Sequence, residues 1–285
     1  MARAMAKIHG WIRYWAADHP SVRAFQWSSS TWGASWSFVL LSIGLYILGV
    51  VTLRLIVSRK KTPVSLGLIP PLHNAVLLLA SLVMFVGCLQ ATAVEVAQSR
   101  WLWGGSQKPL NWLLCFPIGT RPRGRVFFWS YIYYLSKFYE FLDTVIVILR
   151  KKPLTFLHVF HHATVVIMCF NWLEYSQSLH IIGLLTNTGV HVIMYLYFLL
   201  CSLGFSPPWK KFVTNCQIVQ FVFSFVASIG LLVLHFCGDG CSGMAAWIFN
   251  ALFNMSLLFL FLNFHRKQYG LGKNTTSRKS SKKED

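Results

Sequence analysis

The amino-acid sequence predicts an all-α integral membrane protein of seven transmembrane helices, and three observations carry that expectation. Of its 285 residues, 55% are hydrophobic and 12% charged, with a positive mean hydropathy that a water-soluble domain of this size rarely shows. The apolar residues gather in runs that meet the ~20 residues needed to cross ~30 Å of hydrocarbon. The net charge of +18 sits in short Lys/Arg clusters between those runs. That is the pattern of the positive-inside rule, so the lipid bilayer is the expected surroundings and nucleic acid is not an expected partner.

Taken in order, residues 1–33 place Arg3, Lys7, Arg13 and Arg23 among several Trp and Tyr, the composition of a segment lying at the membrane interface. Residues 1–30 lack the continuous apolar core of a cleavable signal peptide, so the first span is expected to do the targeting. The membrane domain is expected over 34–264. Its first span reads 34–57, with Arg54 able to snorkel, and Arg59-Lys60-Lys61 closes it. The second, 66–94, carries Pro70-Pro71, which start the helix late or kink it. A long connection rich in Trp, Gly, Pro and Arg leads to the third, 126–149, ended by Arg150-Lys151-Lys152. Pro153 suits the first turn of the fourth, 153–173. A short polar link around Glu174 to Gln177 folds it into a tight hairpin with the fifth, 178–203. Lys210-Lys211 precede the sixth, 212–236; Cys237 to Cys241 turn the chain into the seventh, 245–264. The tail, 265–285, is basic and rich in Ser and Thr, a disordered composition.

Seven spans put the termini on opposite sides. With the C-terminus cytosolic and the N-terminus lumenal, fifteen Lys/Arg of the connections and tail face the cytosol against nine on the other side, five of those in the long second connection. The chain ends Lys282-Lys283-Glu284-Asp285, a dilysine resembling the retrieval signal of endoplasmic-reticulum membrane proteins, which points to that membrane. The Asn274-Thr275-Thr276 sequon would then face the cytosol, unglycosylated. Cys88, Cys169, Cys201 and Cys216 read as apolar core residues. Cys115, Cys237 and Cys241 share the expected lumenal side, where a disulfide from Cys115 to either of the other two is permitted.

The polar residues inside the spans converge. Asp143 lies ~9 Å from the cytosolic boundary, His158 to His162 ~8 to 13 Å and His191 ~18 Å; Gln217 and Gln220 are again near the cytosolic end of their span. Within each span they share one helix face: Lys137, Glu140, Asp143 and Thr144; His158, His161 and His162; Asn187, His191, Met194 and Tyr195; Thr214, Gln217 and Gln220. Four single-faced stripes at one depth imply a bundle around a polar chamber open to the cytosol. The apolar remainder leaves a path deeper into the membrane, suited to a charged head and a long acyl tail. Ionisable groups in lipid are costly and mark functional sites. Structural readings also exist: Lys137 with Glu140 or Asp143 as a buried ion pair, Gln217 and Gln220 as interhelical bonds, and His73 and His180 as satisfied or interfacial histidines.

Two chemistries could use the histidines. A His-x-x-His-His box occurs in membrane di-iron desaturases and hydroxylases, which need several such boxes; here there is one, plus His191. Neutral imidazole can instead act as nucleophile or acid–base, attacking a thioester to give a reactive acyl-imidazole. A receptor would not need three histidines on one face, and a lipid sensor would bind acyl-CoA without turnover.

Lys137-x-x-Glu140-x-x-Asp143-Thr144, His158-x-x-His161-His162, Asn187-x-x-x-His191-x-x-Met194-Tyr195-x-Tyr197 and Thr214-x-x-Gln217-x-x-Gln220 resemble, in order, the four motifs of the ELO family, the very-long-chain fatty acid elongases. The likeness covers residues 66–269, and Phe198 stands where many members carry a second Tyr. The resemblance implies six of the seven spans forming a barrel around an acyl-CoA tunnel closed at its lumenal end. It implies condensation of a long-chain acyl-CoA with malonyl-CoA, releasing carbon dioxide and giving a 3-oxoacyl-CoA, with no metal and no cofactor beyond these substrates. Implied partners are a ketoacyl reductase, a dehydratase and an enoyl reductase, with pairing as a homodimer.

On that reading His161 is the expected nucleophile. His191 and Asn187 polarise the malonyl thioester and stabilise the enolate, and His158 and His162 orient their neighbour or move protons. Asp143 or Glu140 sets an imidazole tautomer. Lys137 and the Arg150 to Lys152 run are expected to meet CoA phosphates; Glu140, Thr144, Met194, Tyr195, Tyr197, Thr214, Gln217 and Gln220 complete the substrate site.

Overall fold

The computed structural model describes residues 2–99 and 109–270, and among them it is helical with one isolated antiparallel bridge, Gln26 to Arg123. Helix α1 (Ala2–Arg13) runs into a π-helical turn (Tyr14–Asp18) and the short α2 (Pro20–Arg23). Then follow α3 (Trp36–Ser58), α4 (Ile69–Ser99), α5 (Pro109–Leu114), α6 (Arg125–Tyr139), α7 (Phe141–Leu149), α8 (Phe156–Glu174), α9 (His180–Ser202), α10 (Lys210–Cys237) and α11 (Met244–Tyr269). Six of these are long and apolar enough to cross a membrane: α3, α4, α8, α9, α10 and α11. Their outer faces carry exposed Leu40, Leu48, Leu79, Val226, Ile229 and Phe259, side chains whose apolar area needs lipid as solvent.

Local chemistry sets the helix starts. Ser35 accepts a hydrogen bond from the Phe38 N–H at 3.2 Å, and Thr155 accepts from the His158 N–H at 3.2 Å, each satisfying a donor of a first helical turn. Thr155, not Pro153, therefore opens the helix that carries the histidine box; Pro153 lies in the preceding connection. Pro70 and Pro71 occupy the first turn of α4, where a missing N–H costs nothing. Helix α11 continues through His265 to Tyr269, taking in the first five residues of the expected tail, and Asn274, Lys282 and Lys283 lie outside the described residues.

The expected third span is not one helix. It is interrupted at Glu140, where the Asp143 N–H reaches back three residues to the Glu140 carbonyl at 3.0 Å, a tightened 3₁₀-type turn. Below this break the Lys137 ammonium and the Glu140 carboxylate pair at 2.7 Å, both completely withdrawn from solvent.

Helix α4 packs against α9 and α6; α9 packs on α10, α10 on α11, α11 on α8, and α8 on α6. Helix α3 stands outside this succession, against α7 and α8. Gly87 permits the close approach of α4 and α6, since a Cβ there would fall 2.2 Å from the Trp129 ring.

At one end the connections knit together. Cys115 and Cys241 form a disulfide with Cα atoms 5.1 Å apart, while Cys237 is exposed and free. The Ser242 N–H donates to the Phe116 carbonyl at 2.8 Å, and the Phe116 N–H to the Ser178 Oγ at 2.9 Å. Gly243, at φ 73°, sits so close to Gln177 that a Cβ would meet its Cα at 2.4 Å. Three connections thus cap the bundle here.

The N-terminal segment is packed in part against the bundle. Its exposed apolar residues are Met5, Ile8 and Trp11 of α1, Tyr14 and Trp15 of the π-helical turn, and Trp32. Ala16, Ala17, Val22 and Trp27 are buried against the bundle, and the Ala16 and Ala17 carbonyls accept from Trp129 Nε1 and Arg125 Nε, each at 2.8 Å. Of the four cysteines expected in the core, Cys88 and Cys169 are buried, whereas Cys216 is half-buried and Cys201, which borders the chamber, is exposed.

Candidate active site

A chamber of about 460 Å³ opens toward the end of the bundle that carries Arg150, Lys152 and Lys210, which line its mouth. Its walls hold His158, His161 and His162 from α8, Asn187, His191, Met194, Tyr195 and Tyr197 from α9, and Thr214, Gln217 and Gln220 from α10, with Glu140 and Asp143 from the α6–α7 break and α7. Helical periodicity explains this convergence: each set repeats at three and four residues, so each helix points one stripe inward. A second, narrower cavity of about 50 Å³ continues past it toward the disulfide end. His161, Asn187, Gln220 and Phe221 border both spaces.

The imidazoles are held from behind. Thr144 lies outside the chamber wall and bridges α3 to α8: its Oγ1 is 2.9 Å from the Tyr46 hydroxyl and 2.9 Å from His158 Nε2. The His158 and His162 rings pack at 4.5 Å between centroids, and His162 meets His161 edge-on at 5.3 Å. The buried Nδ1 of His162 has no protein hydrogen-bond partner, a costly arrangement unless water or substrate supplies one. His191 Nδ1 lies 3.8 Å from Glu140 Oε1, within electrostatic reach though beyond hydrogen-bond length. The Tyr133 hydroxyl donates to Asn187 Oδ1 at 2.6 Å, leaving the Asn187 amide N–H groups as donors where the two cavities meet.

Two expectations need correction. Lys137 does not line the chamber and is not available to a CoA phosphate. It is fully buried, bonded to Glu140 and lying 3.9 Å from the Tyr133 ring centroid, so it neutralises the carboxylate that faces His191. Asp143 does not orient a box imidazole through a hydrogen bond. Its Oδ1 lies 2.9 Å from His73 Nε2 and its Oδ2 accepts from the Tyr195 hydroxyl at 2.9 Å, so it ties α4 to α9 across the chamber wall. His73 is thereby a site residue that sequence reasoning discounted; the signal was its place one helical turn past Pro70, on the stripe that also gives Asn74. Asn74 Nδ2 donates to the Phe198 carbonyl at 3.3 Å. Tyr133, Phe253 and Phe261 were likewise missed, being indistinguishable from core aromatics until the neighbouring helices were in place.

The mouth is cationic. Lys151 donates to the Lys60 carbonyl, while Arg150 and Lys152 face the chamber. Burial, then the adjacent Arg150 guanidinium, hold the Lys152 ammonium below the ordinary lysine range. Among the described residues, no group of three or more His, Cys, Asp or Glu is arranged to hold a metal ion.

The model of the ELO family, described as the GNS1/SUR4 family, matches residues 31–283. The chain belongs to this family. Among its relatives, a protein of Arabidopsis thaliana named fatty acid elongase 3-like is 39% identical over 265 residues, covering 90% of this chain and 92% of that one. Fatty acid elongase A of Dictyostelium discoideum is 36% identical, covering 75% and 76%. Very long chain fatty acid elongase 2 of Mus musculus is 33% identical, covering 74% and 69%. The ELO membership expected from the four motifs is met, and the motif residues other than Lys137 and Thr144 face one chamber.

Proposed function

We propose that this ELO-family protein is a fatty acid elongase of the condensing type: it joins a long-chain acyl-CoA to malonyl-CoA, giving a 3-oxoacyl-CoA, free CoA and carbon dioxide. The observation that carries the reading is the position of His161 and Asn187 at the junction of a cationic, wide chamber and a narrower slot. A CoA head suits the first and an acyl tail the second. In the first half-reaction His161 attacks the acyl thioester carbonyl; the carbon–sulfur bond breaks, an acyl-imidazole forms, and the thiolate takes a proton and leaves as CoA. In the second, malonyl-CoA loses carbon dioxide, and the electron pair of the broken bond forms an enolate at the thioester. The enolate carbon attacks the acyl-imidazole, the carbon–nitrogen bond breaks, and the departing His161 ring takes up one proton from solvent to return as neutral imidazole. Asn187 amide donors and His191, held beside the Lys137–Glu140 pair, supply stabilisation for the enolate oxygen. Arg150, Lys152 and Lys210 attract the phosphates.

The same proposal extends to the membrane. Helices α6 and α7 together provide a seventh crossing, and α4, α6, α8, α9, α10 and α11 close as a barrel, with the disulfide end lumenal and the cationic mouth cytosolic in the endoplasmic reticulum. The reductases and dehydratase that complete an elongation cycle are the expected partners, with a homodimer as the expected assembly. Among the described residues, no group of three or more His, Cys, Asp or Glu is arranged as the di-iron oxidase alternative would require.

The test is a single turnover on purified protein treated with chelator. Acyl-CoA alone should add one acyl mass at His161, and malonyl-CoA should remove it as 3-oxoacyl-CoA. Condensation without any adduct would make His161 a base, and loss of activity on chelation would sink the metal-free mechanism.

A further inference from the structure

The narrow slot beyond His161 is lined mainly by apolar side chains, Val165, Met168, Ile182 and Leu257 among them, but it also carries polar groups that a plain hydrocarbon tail would not use. Thr186, Ser224, Ser228, Asn250 and Asn254 border it. Some of these groups are satisfied within the protein: Asn254 Nδ2 donates to Ser224 Oγ at 2.9 Å, and Trp247 Nε1 to Ser228 Oγ at 3.1 Å. Two are not. Trp172 Nε1, a donor, and Asn250 Oδ1, an acceptor, line the slot, are buried, and have no protein partner. Buried polar atoms are left in this state only when water or a ligand completes them.

At about 50 Å³ the slot has space for a few waters, since each needs roughly 10–15 Å³ on this measure. An alkyl tail passing His161 would expel them and leave both groups unpaired. A tail carrying a hydroxyl would instead accept from an N–H and donate to a carbonyl oxygen. Resting on the condensing-enzyme reading, we propose that the slot selects acyl-CoAs whose tail bears a hydroxyl, with Trp172 and Asn250 as the specificity-determining residues. Both lie beyond the box toward the closed end: on α8, Trp172 follows His161 by three helical turns, or ~16 Å, so the hydroxyl belongs in the distal part of the tail. Sites that hydrogen-bond a substrate hydroxyl discriminate strongly against the analogue lacking it.

The test compares kcat/KM for palmitoyl-CoA and for 12-, 14- and 16-hydroxypalmitoyl-CoA in malonyl-dependent condensation by the full-length protein. At least one hydroxylated chain should be preferred by roughly tenfold or more. Asn250→Leu, which removes the acceptor at similar volume, should erase that preference, and so should Trp172→Phe, which keeps the ring and removes the donor. If one variant does not fold, the other decides. Equal use of plain and hydroxylated chains, or a preference unchanged in both variants, overturns the proposal. If no chain is condensed at all, the functional reading fails, and binding of the same four acyl-CoAs, read from thermal stabilisation of the wild-type protein, still decides. Tighter binding of a hydroxylated chain upholds the selective slot and equal binding overturns it.

Discussion

His161 and His191 occupy different places in the chamber, and the difference predicts different defects. His161 borders both cavities, whereas His191 lines only the wide one, beside Glu140. His161→Gln is expected to abolish the acyl adduct and to lower condensation by ~10³-fold or more, as for loss of a covalent nucleophile. His191→Gln is expected to leave the adduct intact and slow its discharge by ~10²–10⁴-fold, which intact mass before and after malonyl-CoA separates cleanly. At the mouth, Lys152 is charged below its depressed pKa and neutral above it. KM for both CoA substrates should therefore rise on the alkaline side before an ordinary lysine titrates, and Lys152→Gln should raise KM at neutral pH and flatten that rise. Box residues were legible because a three-and-four spacing is local. His73 was not, since its partner Asp143 is 70 positions away.

The joint between α6 and α7 carries the most consequential departure from the sequence expectation. Apolar periodicity over 126–149 is continuous, and nothing there is proline or glycine, so a single helix was the natural reading. The structure interrupts it at Glu140, whose carboxylate turns to Lys137 and Ser136 and faces His191. Removing one member of a buried pair strands the other charge. Lys137→Met is expected to destabilise the protein by ~3–5 kcal/mol, and Lys137→Met with Glu140→Leu by clearly less, as measured by thermal unfolding in detergent. If the single and double variants melt together, the pair does not hold the joint. Packing of α4 on α6 depends on one missing side chain: Gly87→Val should clash with Trp129 and cost ~1–3 kcal/mol, with part of the loss recovered by Trp129→Leu.

Across the whole molecule, the end opposite the cationic mouth is sealed by covalent and hydrogen-bonded links among three connections. The Cys115–Cys241 disulfide spans 126 positions, and such a cross-link restricts the unfolded chain strongly. Cys115→Ser with Cys241→Ser is expected to lose ~2–5 kcal/mol of stability while keeping the chamber's chemistry, because the bridge packs with Leu179 and Leu231 at the closed end of the bundle. Cys237→Ser should be silent in the same melting assay. A melting point insensitive to both would mean that the hydrogen bonds among Phe116, Ser178 and Ser242 close this end by themselves.

The amino-acid sequence alone determined that the chain is helical and membrane-spanning, and which residues of α8, α9 and α10 share a face. Hydropathy and helical period are properties of short segments, read without knowledge of neighbours. Only the tertiary structure decided that Lys137 is sealed away from solvent, that Asp143 belongs to His73 and Tyr195, that Cys241 rather than Cys237 meets Cys115, and that the slot beyond His161 holds two unpartnered polar atoms. Each of these depends on which helices stand side by side: even the local Lys137–Glu140 pair is sealed by its neighbours, and the Asp143 and cysteine partners stand 52 to 126 positions apart, beyond the reach of any local pattern.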